Sequence, residues 1–217
     1  MAAFDTGLAV GADGLELDVR LSKDGAVVVH HDPMLDRTTT LGGEVQRRTA
    51  QELARAGVPR LAEVLARYPT TPIIVEMKLN SAHFASAVVD VVRGANAVDR
   101  VCLGAFGWRV LRAVRAIEPA IATSAAREEV RWALYRSWCR WPVLRASYLG
   151  YQVPEFVGRT RVVAPRFVSD AHRAGLAVQV WTIDTEPDAR RLLSWGVDAL
   201  ITDRPDLIVP IARRWGG

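Results

Sequence analysis

The stretch Gly14-Leu-Glu-Leu-Asp-Val-Arg-Leu-Ser-Lys-Asp-Gly-Ala-Val-Val-Val-His-His-Asp-Pro33 sets two short runs of alternating apolar residues on either side of an Asp-Gly pair. That pattern predicts a β-hairpin, because both central residues of a type I′ turn need positive φ and Asp-Gly supplies them at low cost. A two-residue loop centred on Asp24 and Gly25 puts Asp18 opposite His31. Opposed residues share a face, as do residues two apart on one strand, so Glu16, Asp18 and His31 are expected to project together. Leu15, Leu17, Val19, Leu21 and Val28 form a core-facing row on the other side. One face of the hairpin packs and the other carries chemistry.

Two carboxylates beside an imidazole suit either general acid–base work, which needs separated pKa values, or a hard cation, which leaves both acids ionised and the imidazole free. The metal reading is preferred here. Carboxylates this close repel unless a cation or proton lies between them. A third carboxylate, Glu76, occurs in Ile73-Ile-Val-Glu-Met-Lys78, another short apolar strand on which Glu76 and Lys78 share a face. Lys78 is placed to reach a substrate oxygen as a point charge, or to pair simply with Glu76.

Outward from these segments the chain alternates strand and helix, the mark of βαβ units and a parallel sheet. Strands are expected at 15–19, 73–78, 101–106, 121–125, 148–153, 178–183 and 199–203. Helices are expected at 51–55, 61–68, 82–92 behind a Ser81 cap, 108–117, 165–174 stopped by Gly175, 186–195 stopped by Gly196, and 205–214. No low-complexity segment or linker interrupts them, so residues 1–217 read as one domain.

Gly11-Ala-Asp-Gly-Leu-Glu-Leu-Asp-Val-Arg-Leu-Ser-Lys-Asp-Gly25, Val29-His-His-Asp-Pro33 and Leu35-Asp-Arg-Thr-Thr39 together resemble the signature of the glycerophosphodiester phosphodiesterases. The resemblance continues in Val75-Glu-Met-Lys78, Gln179-Val-Trp-Thr-Ile183 and Gly196-Val-Asp-Ala-Leu-Ile-Thr-Asp-Arg-Pro205. It implies an α/β fold, a TIM-type (β/α)8 barrel. It further implies a divalent cation, Ca²⁺ or Mg²⁺, at Glu16, Asp18 and Glu76, and a histidine pair acting as acid and base, of which His31 matches the second member. Trp181 matches a residue lining the substrate pocket. The implied reaction is hydrolysis of a small-molecule or lipid-derived phosphodiester to sn-glycerol 3-phosphate and an alcohol. A lysophospholipase D-like enzyme and a non-catalytic phosphate-binding relative are the alternatives.

Relatives of this kind open with a strand ending in His-Arg-Gly, whereas this chain starts in what resembles the body of the following helix. The first strand and first histidine are therefore expected to be missing, and the chain as written is expected to be a poor enzyme. Asp184 stands where the family usually has Asn. In a parallel barrel consecutive strands cannot be joined by a two-residue turn. Residues 15–19 are therefore the expected barrel strand, with 20–31 an excursion that returns His31 beside Asp18 at the C-terminal mouth, where active sites of this fold sit.

With 217 residues the chain is slightly short of the roughly 250 typical of such a barrel. A formal charge of +4 raises the question of nucleic acid, but no nucleic-acid module is present and no such partner is expected. Residues 127–173 hold nine Arg against four acids, with Trp132, Trp138 and Trp141 among them. Peripheral membrane contact through 127–147 is one reading, and a surface helix whose Trp side chains pack inward is the expected one. Cys102 and Cys139 are too few for a disulfide framework and are expected to be buried thiols. His30 is expected to be a satisfied packing histidine, and His83 and His172 to lie on the surface. With no run of about 18 apolar residues and no visible signal peptide, a cytoplasmic location is expected.

Overall fold

A computed structural model of the protein describes residues 1–141 and 146–215. In chain order the elements are α1 (Ala2–Ala9), β1 (Leu15–Leu21), β2 (Val27–Val29), α2 (Ala50–Arg55), α3 (Leu61–Arg67), β3 (Ile73–Met77), α4 (Ala82–Gly94), β4 (Val101–Gly104), α5 (Trp108–Ile117) and β5 (Ala122–Thr123). There follow α6 (Arg127–Cys139), β6 (Gly150–Pro154), the short ribbon β7 (Phe156–Val157) and β8 (Thr160–Arg161), α7 (Pro165–Arg173), β9 (Ala177–Trp181), α8 (Glu186–Ser194), β10 (Ala199–Leu200) and α9 (Pro205–Trp215). All seven strands read from the sequence are present. The described residues divide into two compact units, Met1 with Gly14–Ala122 and Ala2–Asp13 with Thr123–Gly217.

In the first unit β1, β3 and β4 run parallel, and β2 pairs antiparallel on the free side of β1. Leu15, Leu17, Val19, Ile73, Val75, Met77, Val101 and Leu103 alternate along these strands and are all buried. α4 lies against α3 and α5. Its buried positions Phe84, Ala85, Val88, Val89 and Val92 follow the spacing of one helical face. At the start of α5 the capping residue is Gly107, which has no side chain to offer. Asn80 supplies the cap instead, its Oδ1 accepting from the Val110 N–H at 3.0 Å. A Cβ on residue 107 would lie 2.2 Å from Asn80 Cγ, so the borrowed cap requires glycine there.

The hairpin forms, but its register is one residue away from the expected one. The partners are Val19 with Val29, Arg20 with Val28 and Leu21 with Val27. The loop is Lys23-Asp24-Gly25, closed by Ser22 N–H to Ala26 O at 2.9 Å, and the positive φ of 79° falls on Gly25 alone. Such three-residue loops end in a left-handed glycine and add one residue to the ribbon. Asp24 is occupied elsewhere. Its Oδ1 accepts from Ser22 Oγ at 2.6 Å and from the Ala50 N–H at 2.9 Å, tying the loop to the start of α2. Asp18 therefore faces His30, whose N–H donates to the Asp18 carbonyl at 2.9 Å, and His31 lies one position further on.

In the second unit β6, β9 and β10 are parallel, with β9 central. Residues 123–125 continue this sheet beside β6 through a parallel bridge from Ser124 to Gly150. Tyr151, Val153, Val178 and Val180 bury one face in a core completed by Phe167 and Val168 of α7, Leu192 of α8 and Ile208 and Ile211 of α9. Gln152, Gln179 and Trp181 share the opposite face, with Gln152 Nε2 donating to Gln179 Oε1 at 2.9 Å. α6 joins the core through Val130, Ala133 and Leu134.

Those small side chains leave no place for the large ones, and the expected inward packing of the Trp residues does not hold. Trp132 is 66%, Trp138 56% and Trp141 72% exposed. The second half of the expected 127–147 contact segment includes residues 142–145, which lie outside the described residues. The expectation of buried thiols also fails. Cys139 ends α6 exposed, and Cys102 is half-buried on the face of β4 that alternates with Val101 and Leu103.

Candidate active site

β1 and β3 set Asp18 directly beside Glu76, and Glu16 lies two residues back on the same half-buried face. Lys78, just past the end of β3, places Nζ 2.7 Å from Asp18 Oδ1, and both side chains are largely buried. The ammonium also stands 5.8 Å over the Phe106 ring. The structure thus pairs Lys78 with Asp18 rather than with Glu76. Glu76 is the more deeply enclosed acid. Burial pushes its carboxyl up to about 7, helped by the Asp18 charge, while Lys78 and the Phe106 N–H pull in the other direction.

The hairpin ties the His31 backbone to this face by another route than the predicted register. Arg20 follows Glu16 and Asp18 on alternate positions of β1, and its guanidinium donates to the His31 carbonyl from Nε at 3.0 Å and Nη2 at 2.8 Å. Burial lowers the Arg20 pKa, and the fields of Asp18 and Asp32 oppose that change. His31 Nδ1 meets Asp32 Oδ1 at 2.6 Å, and Arg37 Nε donates to Asp32 Oδ2 at 2.6 Å. The Arg37 hydrogen bond, with that of His31 behind it, holds Asp32 well below the usual carboxylate range. An ionised Asp32 only accepts, so His31 donates from Nδ1. His31 is 63% exposed in its side chain.

His30 packs as expected, its ring held by Asp32 O at 2.8 Å and Thr38 Oγ1 at 3.0 Å. His83 and His172 are exposed, and His172 Nε2 sits 2.9 Å from Asp198 Oδ2. Trp181 ends β9 in the second unit, half-buried. Asp184 has a structural task, its Oδ1 accepting from Thr202 Oγ1 at 2.8 Å and from the Asp203 N–H at 2.9 Å.

The chemistry of the donor set fits a hard dication. Glu16, Asp18 and Glu76 offer carboxylate oxygens alone from two adjacent strands. Among the described residues no three potential ligands converge on one point, so Glu16 stands with the pair on its face without closing a cage. Sequence reasoning missed Arg20, Asp32 and Arg37. Asp32 had a visible signal, since it directly follows the histidine in the quoted motif. Arg20 had none, because what it holds is a backbone carbonyl.

Residues 1–207 match the model of the glycerophosphoryl diester phosphodiesterase family. The chain is 34% identical, over 100% of its own length and 87% of the relative's, to the probable glycerophosphodiester phosphodiesterase 2 of Mycobacterium tuberculosis. It is similar to the crystal structure of a glycerophosphodiester phosphodiesterase from Agrobacterium tumefaciens, with TM-score 0.76 and 26% identity over 96% of this chain and 91% of that one. It is also similar to a phosphodiesterase from Oleispira antarctica solved with the product sn-glycerol-3-phosphate, with TM-score 0.77 and 25% identity over 98% and 89%. The α/β, TIM-type barrel class of these neighbours is the fold class of the chain. A single match that runs through the hairpin, the Glu76 strand and the Trp181 strand leaves one conclusion: the chain belongs to the glycerophosphoryl diester phosphodiesterase family.

Proposed function

We propose that the protein is a glycerophosphodiester phosphodiesterase that adds water across a phosphate ester bond, releasing sn-glycerol 3-phosphate and an alcohol. The observation that carries this reading is the pairing of Asp18 and Glu76 on adjacent strands, with Lys78 against them and His31 tied to the same face through Arg20. We treat the chain as one catalytic domain, since one family match spans residues 1–207.

In this reading Lys78 offsets charge growing on the non-bridging phosphate oxygens. Its present partner, Asp18, holds it in place. His31, with Nδ1 committed to Asp32, uses Nε2 to move a proton at the attacking or leaving oxygen, a contribution of about 10²- to 10⁴-fold. Asp32 and Arg37 fix the ring and its tautomer. Glu16, Asp18 and Glu76 would hold a divalent cation, which supplies Lewis-acid neutralisation of the phosphate when bound. Their hard oxygens favour Ca²⁺ or Mg²⁺ over Zn²⁺.

The test is release of sn-glycerol 3-phosphate from glycerophosphocholine and glycerophosphoethanolamine, read by an enzyme-coupled assay with Ca²⁺, Mg²⁺ or chelator. Calorimetric titration with sn-glycerol 3-phosphate is the second arm. Cation-dependent release that falls further in His31→Ala is expected. Folded protein that neither releases nor binds sn-glycerol 3-phosphate with any divalent cation overturns the proposal.

A further inference from the structure

α6 presents a face that the phosphodiesterase reading leaves without a task. Trp132, Tyr135 and Trp138 follow one another at intervals of three, with Trp141 next in the series. Their rings touch edge to face, with centroids 6.4 Å apart between Trp132 and Tyr135 and 5.6 Å between Tyr135 and Trp138. All four are half or more exposed. Arg127, Arg131, Arg136 and Arg140 stand exposed around them, and among the described residues none of these guanidinium groups has an ion-pair partner. The acids of the helix are withdrawn. Glu129 accepts from the Ala126 N–H at 2.7 Å, and one oxygen of Glu128 is buried.

We infer that this face of α6, residues 127–141, docks the protein on the interfacial region of an anionic lipid bilayer. Trp and Tyr combine a broad apolar body with one hydrogen-bonding group, which suits the layer where acyl chains meet headgroups. Guanidinium groups beside them meet lipid phosphates at the same depth. The charge pattern argues against a second copy of the chain. A twofold contact through this face would set Arg against Arg with the acids turned away, and like charges opposed across an interface are costly. An anionic surface answers this point, since it neutralises the arginines. This docking stands apart from the phosphodiesterase proposal and is read without any turnover.

The experiment is flotation of the full chain with vesicles of phosphatidylcholine alone and of phosphatidylcholine mixed with phosphatidylglycerol, at low and high salt, with tryptophan emission recorded in parallel. Binding to the mixed vesicles with a blue shift is expected, weakened by salt because exposed charges are screened within about 10 Å at 0.1 M and about 3 Å at 1 M. Trp132→Ala/Trp138→Ala should lower partitioning about tenfold or more. Arg131→Gln/Arg140→Gln should lower it roughly 25-fold, at about 1 kcal/mol or a factor of about five per basic residue near the surface. Circular dichroism of each variant confirms that it folds, and Trp132→Phe, which keeps an aromatic, should retain most of the binding. Equal flotation of wild type and both double variants overturns the inference. So does equal flotation with neutral vesicles, a dimer in size-exclusion chromatography that the Trp variant dissociates, or binding of a single-stranded oligonucleotide in preference to vesicles.

Discussion

Replacing Glu76 by Gln should stabilise the protein in cation-free buffer, and by an amount that grows with pH. The carboxyl titrates at about 7 in the folded chain against an ordinary 4.5, chiefly because burial disfavours its charge. A raised acid pKa means that the unfolded chain gives up this proton first. Between the two values the folded state binds more protons than the unfolded one, so stability falls as pH rises from about 4.5 through 7 and stays lowered above. At roughly 1.4 kcal/mol per pH unit the full cost is about 3 kcal/mol near pH 8 and about 1 kcal/mol near pH 5. The neutral amide has the shape of the carboxyl and pays no such cost. For a chain of this length about 1 kcal/mol moves the melting temperature by about 2–4 °C, so Glu76→Gln should melt about 6–12 °C above wild type near pH 8 in chelator and only a few degrees above it near pH 5. Adding Ca²⁺ or Mg²⁺ should then raise the wild type and leave Glu76→Gln nearly unmoved. Thermal denaturation followed by circular dichroism reads all four conditions. Coincident melting curves for the two proteins near pH 8 in chelator, or equal cation stabilisation of both, would refute the reasoning.

His31→Ala should lower kcat by about 10²- to 10⁴-fold, while Asp32→Asn, which frees the imidazole to take either tautomer, should lower kcat by about tenfold with KM and melting temperature little changed; steady-state kinetics separates the two. Lys78→Met should weaken binding of sn-glycerol 3-phosphate at least about tenfold by calorimetry, since a charge-assisted contact to phosphate contributes about 1.5–3 kcal/mol. Asn80→Ala should cost about 1 kcal/mol through the lost cap on α5. Gly107→Ala should cost more in wild type than in the Asn80→Ala background, where the obstructing carboxamide is gone, and a double-mutant cycle of melting curves that shows no such coupling would remove the explanation of Gly107.

What was legible in the sequence is what local periodicity dictates. Alternation placed β1, β3, β4, β6 and β9 and their buried faces, and Gly175 and Gly196 marked helix ends with positive φ, 71° and 84°. The hairpin register was not legible, because the turn depends on Asp24 reaching the Ala50 N–H, a contact between residues 26 apart in sequence. The outward face of α6 was hidden for a different reason. Aromatic residues at intervals of three read equally well as core or as surface, and the decision fell to Ala133 and Ser137, which bury on the opposite side. Within the site the acids were visible as types at period two, but the partner of Lys78 depended on the register of β1 against β3, which sets Asp18 level with Glu76 and within diagonal reach of Lys78. Arg20 escaped notice because a surface-strand arginine looks the same whether it is solvated or holding the backbone carbonyl of a neighbouring histidine.

The charge count on this face connects the acids, the cation and the substrate. Glu16, Asp18 and Glu76 against Arg20 and Lys78 leave one formal negative charge when every group is ionised. In a partly buried site that excess is expensive, and the site has two ways to remove it. One is to protonate Glu76, which is the acid burial has raised to about 7. The other is to accept a dication, which would take the face to one positive charge and displace that proton. A phosphodiester carries a single negative charge at neutral pH, so it completes neutrality only on the cation-loaded face. The two cationic side chains are as necessary to this balance as the three acids. Without Lys78 the loaded face is neutral before substrate arrives, and it has no net charge left with which to select an anion. The raised Glu76 pKa, set chiefly by burial, marks the acid on this face that gives up its charge most readily.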